Sequence, residues 1–303
     1  FNNFIKKTIL KLQNKTTLFK LQHKKNNKFI ISSFNKYLIT FFVLLFFYLF
    51  YLLIPLLYGK GWIQSNIESK FINEFKIELS SSADISYRIL PAPHFLIKNS
   101  KILLNGSKNQ KSIADIKNLK VFISQKNFLD KEKMNLTKVF INDANFSLLK
   151  NDIEALNEFI NNKFSNKKIK INDSNIFFKD NLNEVISIIK ISKAFLFFDE
   201  KNLFNLFDLN GEVFNIPFEL NYQNTINSQK KIKIKAPDIK LKIINEFFKK
   251  DGDLNSGMNN ISILNSSINT KYSIKNQIVI FQSDGPKVSN SKINYNGQLA
   301  INP

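Results

Sequence analysis

The side chains that carry most protein chemistry are scarce in this chain. It has two histidines, His23 and His94, and no cysteine. A thiolate metal site, a cysteine nucleophile and any disulfide are thereby excluded. His94 follows the Pro91-Ala-Pro93 break and reads as a partly exposed loop residue. The run Asp251-Gly-Asp253-Leu-Asn255-Ser-Gly257 resembles the opening of a calcium loop. Its glycine falls one place late and Ser262 stands where the bidentate glutamate belongs, so a solvated turn is the better reading. No Gly-x-Ser-x-Gly elbow, phosphate-cradling glycine loop or His-Glu-x-x-His pair occurs. The expectation is a protein that is not an enzyme, with no catalytic residues, no metal and no cofactor.

Charge suggests a different kind of partner. The formal net charge is +20, yet Arg88 is the only arginine, so the bidentate fork favoured for base and phosphate recognition is nearly missing. Nucleic acid is not the expected partner. The lysines read instead as topology signals and solvated strand faces, with some attraction to anionic lipid headgroups.

The element that must position everything else is the apolar run Leu38–Tyr58, with no charge between Lys36 and Lys60. As a helix, its roughly twenty residues at about 1.5 Å each span the roughly 30 Å hydrocarbon layer of a bilayer. It is too long for the apolar region of a signal peptide, and no small-residue cleavage site follows. Tyr48, Tyr51, Tyr58 and Trp62 cluster toward one boundary, where amphipathic rings settle. Residues 1–36 carry nine lysines and no acidic residue, whereas Glu68, Glu74 and Glu78 mix with the lysines after the span. That bias predicts a basic cytoplasmic tail over 1–36, a transmembrane helix over 37–59 and an exported domain over 60–303. His23 and His94 then lie on opposite sides of the membrane and cannot share a metal. Residues 1–21 read either as an amphipathic segment on the inner leaflet or as a basic leader.

Beyond the span, Ile63, Ile67, Phe71 and Phe75 recur at four-residue steps and predict an amphipathic helix over Trp62–Phe75. The period then changes to two. In Lys230–Lys235 and Ile239–Ile243, aliphatic residues alternate with lysines, which predicts antiparallel strands with one dry and one charged face. Lys167–Ile171 repeats the pattern. An echo also runs through the chain: Ile141-Asn-Asp-Ala-Asn-Phe146 returns as Ile171-Asn-Asp-Ser-Asn-Ile176. Looser copies occur at Ile97–Ile102 and Val288–Ile293. Each sets an Asn/Asp/Ser break between apolar strand halves, where a bulge would bend a sheet that elongates rather than closes. One later helix is predicted over Asp152–Phe164, with Asp152 capping or charging its start.

Together these residues resemble the AsmA family of Gram-negative envelope proteins, to which TamB and YhdP are related. The similarity runs over about residues 38–303. It is carried by the single span, the amphipathic lead-in, Ile85-Ser-Tyr-Arg-Ile-Leu-Pro91-Ala-Pro93-His-Phe-Leu-Ile97 with Ile113–Ile123, and the Gly211…Pro217-Phe pair within Leu209–Leu220. The long basic tail departs from it. The resemblance implies an inner-membrane protein whose periplasmic domain is a long, curved, groove-like antiparallel β-sheet handling phospholipid between the inner and outer membranes. With Phe1 first and Pro303 ending a strand-like run, the chain reads as the N-terminal, truncated part of such a groove.

Two functions share this pattern. In one, the dry face is an open groove for membrane lipids, with Ile232, Ile234, Ile239, Leu241 and Ile243 facing acyl chains and Lys231, Lys233, Lys240 and Lys242 facing water. In the other, the face is closed in a β-sandwich that acts as a scaffold for outer-membrane biogenesis proteins. Whether the face is open decides between them.

Overall fold

The computed structural model describes residues 33–103, 111–225, 229–249, 255–276, 278–283, 287–288, 291–292 and 294–300. The basic segment 1–32 with His23, the Asp251–Leu254 half of the calcium-like run and most of the Val288–Ile293 echo lie outside them.

The chain divides into two compact units, Phe1–Tyr51 and Leu52–Pro303. Most of the first that is described is α1 (Ser33–Leu53), rich in Phe, Leu and Tyr and without an acidic or basic side chain after Lys36. From Phe41 on its side chains are all aliphatic or aromatic, and nearly all of the helix is exposed. With the following turn it makes a 23-residue stretch, Asn35–Leu57, of mean hydropathy 2.5, long and apolar enough to cross a membrane. Pro55 cannot continue the ladder of hydrogen bonds, and the helix tightens into a 3-10 turn at Ile54–Leu57.

The second unit is mainly β. It opens with α2 (Lys60–Lys70), extended by a wider turn over Phe71–Phe75. Then come β1 (Glu78–Ser80), β2 (Ile85–Arg88), β3 (His94–Leu103), β4 (Ser112–Ile123), β5 (Leu136–Leu149), α3 (Ile153–Asn161), β6 (Lys168–Lys179), β7 (Val185–Asp199), β8 (Phe204–Val213) and β9 (Ile216–Thr225). The rest is β10 (Gln229–Ala236), β11 (Leu241–Lys249), β12 (Asn255–Ile263), β13 (Ser266–Lys275), β14 (Ile278–Ser283), β15 (Lys287–Val288), β16 (Ser291–Lys292) and β17 (Tyr295–Ala300).

All seventeen strands belong to one sheet, two of them only two residues long. From β2 to β14 each strand pairs with its successor, and β17 closes on β14 rather than on β2, so the sheet stays open. The pairing is antiparallel except between β5 and β6, which run parallel because α3 and its flanks carry the chain back between them. The two-layer sandwich is not what forms: no second sheet is present among the described residues.

α3 is shorter than the sequence suggests, and Asp152, which stands at its N-cap position, makes no side-chain hydrogen bond to the helix. Its carboxylate, nearly buried, accepts hydrogen bonds from Lys111 Nζ at 2.6 and 2.7 Å and from the Leu149 N–H at 2.9 Å, and so fixes the end of β5 instead.

Candidate functional site

Residues directly opposed on neighbouring strands project to the same side, so the registers trace each face of the sheet. One line joins Ile85, Ile97, Leu119, Ile141, Ile171, Ala194 and Leu209 across β2 to β8. It continues through Leu220, Ile234, Ile243, Ile261 and Ile268 across β9 to β13. This line of the inner face is thus aliphatic over twelve consecutive strands. The adjacent line on the other face reads Lys98, Asn118, Asn142, Asn172, Lys193, Asn210, Glu219, Lys235 and Lys242.

Of the five residues singled out in the sequence, Ile232, Ile234, Leu241 and Ile243 share the inner face, as alternation requires. Ile239 does not extend the strand. Pro237 has no N–H to give a ladder, the chain turns over Pro237–Ile239, Lys240 takes a left-handed backbone (φ 51°), and β11 starts only at Leu241. Lys231 and Lys233 lie on the outer face, where the Lys231 ammonium pairs with Glu246 at 2.7 Å. The outer face is not purely charged, however. Phe122, Phe140, Phe195 and Phe197 sit there under lysine ammoniums 4.6 to 5.3 Å from their ring centres, from Lys138, Lys168 and Lys170.

What covers the inner face changes along the sheet. From β2 to β8 its aliphatic line is at most 8% exposed. Ile63, Ile67, Phe71 and Phe75, the apolar stripe of α2 and its extension, are equally buried. Tyr87, opposed to Phe95 and hence on the inner face, donates to the Leu52 carbonyl at 2.7 Å. Gln64 and Glu68 hold Ser81, and Glu74 pairs with Lys167. The stretch from Leu52 to Phe75 is therefore the layer over this half. α3 marks the limit of the cover: Asn162 and Phe164 bond Asn205 on β8, the Ile160 carbonyl accepts from Asn224 on β9, and Asn161 from Lys230 on β10. Beyond it Leu220, Ile234, Ile243, Ile261 and Ile268 are all partly exposed, and no described element lies over them.

The echoed motif bends the covered half. Asn99, Asp143 and Asp173, the third residue of each copy, all have positive φ, at 54°, 56° and 46°. One residue drops out of pairing at the same level in β3 to β7, so inner positions there are three apart rather than two: Ile97 and Ser100, Ile116 and Leu119, Ile141 and Ala144, Ile171 and Ser174, Ile191 and Ala194. Side chains stitch the line together: Asn172 donates to Asn142 at 2.8 Å, Asn175 to Asn145 at 3.2 Å, Lys117 to Asp143 at 2.7 Å, and the Ala144 N–H to the buried Ser174 Oγ at 3.1 Å. In β8 the inner spacing returns to two. Gly211 meets the extra residue of β7 there, where a Cβ would lie 2.6 Å from the Lys190 carbonyl oxygen.

The histidine is not a loop residue. His94 opens β3, is 2% exposed, stacks on Phe122 with ring centres 4.9 Å apart and has Nδ1 2.7 Å from the Ala92 carbonyl oxygen. Burial lowers its pKa below the ordinary 6.5. Burial also pushes the phenols of Tyr87 and Tyr222 up to about 12. Among the described residues no three acidic or histidine side chains converge.

No protein-family model matches the chain, and neither does any curated protein sequence. What the geometry offers is an extended apolar face, roofed over one half and open over the other. Alternation found β10 and the start of β11, the resemblance named the strand pair that ends at Leu220, and β12 and β13 were missed, where Ile261 and Ile268 sit among Asn and Ser rather than lysine. The signal was present in the aliphatic alternation but lacked the charged contrast.

Proposed function

We propose that this chain is an inner-membrane-anchored periplasmic protein of the AsmA type that handles phospholipid along its open apolar face. Its work is binding and transfer rather than catalysis. One observation carries the reading: the inner line stays aliphatic from Leu220 to Ile268, where no described element covers it. A face turned to water has no reason to remain so, and acyl chains are a filling that fits. The apolar helix supports an anchor, and the lysine bias supports a cytoplasmic tail over 1–36 with 60–303 in the periplasm.

The test is native mass spectrometry of the full chain extracted gently, with a thermal melt, for the wild type and for Ile234→Glu and Leu241→Glu. Phospholipid that copurifies with the wild type and falls in still-folded variants supports the reading. A wild type without lipid, together with variants that no longer fold, points to a scaffold for outer-membrane protein assembly whose apolar face is packed against protein. For orientation, a reporter active only in the periplasm and fused after Asn302 should give signal. A silent fusion at normal expression overturns the topology.

A further inference from the structure

The open half of the inner face is amphipathic, not uniformly apolar. Beside the Ile234–Ile243–Ile261–Ile268 line runs a second line, two residues along each strand: Tyr222, Ile232, Asn245, Asn259 and Thr270. In the covered half the same line reads Phe95, Val121, Val139, Ile169, Leu196 and Phe207. Apart from Ile232, the composition therefore switches from apolar to polar on this line from β9, near the strands where the described cover ends, while its neighbour stays aliphatic. Plain solvent exposure would have made both lines polar, as on the outer face.

The polar line also carries hydrogen-bonding capacity that the protein does not use. The Tyr222 hydroxyl, on a side chain more than nine-tenths buried, has no partner, and neither do the buried amide oxygens of Asn259 and of Asn255 on the same face. Tyr272 lies flat across β12 because Gly257 leaves it room, a Cβ there falling 2.3 Å from the ring, and donates to Asn245 at 3.2 Å. Lys230, on the next line, adds a cation to this side of the face.

We propose that this line is a headgroup track: a phospholipid lies across β9 to β13 with its acyl chains on the aliphatic line and its headgroup on the polar one. Phosphate oxygens accept from the Tyr222 hydroxyl and the Lys230 ammonium. The Asn255 and Asn259 carbonyl oxygens accept from headgroup N–H or O–H donors. Both lines run across the strands, so a lipid sliding from one strand to the next keeps each end in matching surroundings. This inference rests on the phospholipid reading above and adds where each end of the lipid sits.

Photocrosslinking separates the two. The full chain, in nanodiscs, is loaded with phosphatidylethanolamine bearing a diazirine either on the headgroup or at the acyl terminus, and the labelled residues are mapped by fragmenting the crosslinked peptides. The headgroup probe should label the segments around Tyr222, Asn245 and Asn259, and the acyl probe those around Ile243 and Ile261 nearer Leu241 and Ile263. The double variant Tyr222→Phe/Asn259→Leu should lose headgroup labelling there at least fivefold while acyl labelling and melting temperature hold. Tyr222→Phe alone removes only an unpartnered hydroxyl, so it serves as a variant that keeps the fold. If both probes label the same residues, or the double variant labels as the wild type does, the track is wrong although the face still binds lipid. If neither probe labels the inner face, the phospholipid reading itself fails.

Discussion

The two halves of the inner face are built from the same residue types under different circumstances. From β2 to β8, Ile97, Leu119 and Ile141 are aliphatic because α2 and the rest of the Leu52–Phe75 layer press on them, and folding alone accounts for their identity. From β9 to β13, Ile234, Ile243 and Ile261 are aliphatic without that layer. An identical pattern of alternation thus has two causes. Only the described cover distinguishes the two halves.

Charge substitutions should separate the halves most strongly. Leu119→Asp places a carboxylate at a fully buried position, at a cost of about 4 kcal/mol or more, and should abolish the cooperative melt of the full chain. Ile243→Asp should cost about 1 kcal/mol and leave the melt intact. Equal losses would erase the distinction. Truncation gives a finer contrast: Leu119→Ala should cost about 3 kcal/mol through its cavity, and Ile261→Ala about 1 kcal/mol, both by chemical denaturation. Within the covered half, Ser174→Ala strands the Ala144 N–H and should cost about 1–2 kcal/mol. Asn99→Val should cost about as much at its positive φ, whereas Asn99→Gly should be tolerated.

The smallest effect is that of pH. Burial holds the His94 pKa below 6.5; the Ala92 carbonyl contact opposes this, and Lys120 and Arg88 add to it. The unfolded chain then takes up its proton first on acidification. Stability from this site is full above about pH 6.5 and falls as the pH drops through the lowered folded pKa. Denaturation midpoints measured from pH 7.5 to 5 should decline less for His94→Gln than for the wild type.

Much of this was legible locally. Four apolar residues four apart located α2, and lysine alternation located β10 and the start of β11, because each signal lies within one element. Asp152, His94 and Ile239 were misread because their surroundings are assembled from distant chain: Lys111 approaches Asp152 from before β4, Phe122 closes over His94 from β4, and the start of β11 is set by its pairing with β10. The parallel pairing of β5 with β6 is equally non-local. Above all, the two halves of the inner face share one sequence pattern, so where the cover stops is a property of packing that no stretch of residues announces.

The line of extra residues through β3 to β7 also bears on how the gene can change. Deleting Asp143 alone would leave β5 regular against neighbours that keep their extra residue, the same junction that β7 and β8 make, where Ile191 and Lys193 oppose Gly211 and Asn210 and every side chain keeps its face. Such a deletion gives up the Lys117–Asp143 contact and the matched line of unpaired residues, not the facing of the strand. The two copies of the echo stand side by side in the sheet, Ile141 opposite Ile171 and Asn142 opposite Asn172, so they meet as neighbours in register.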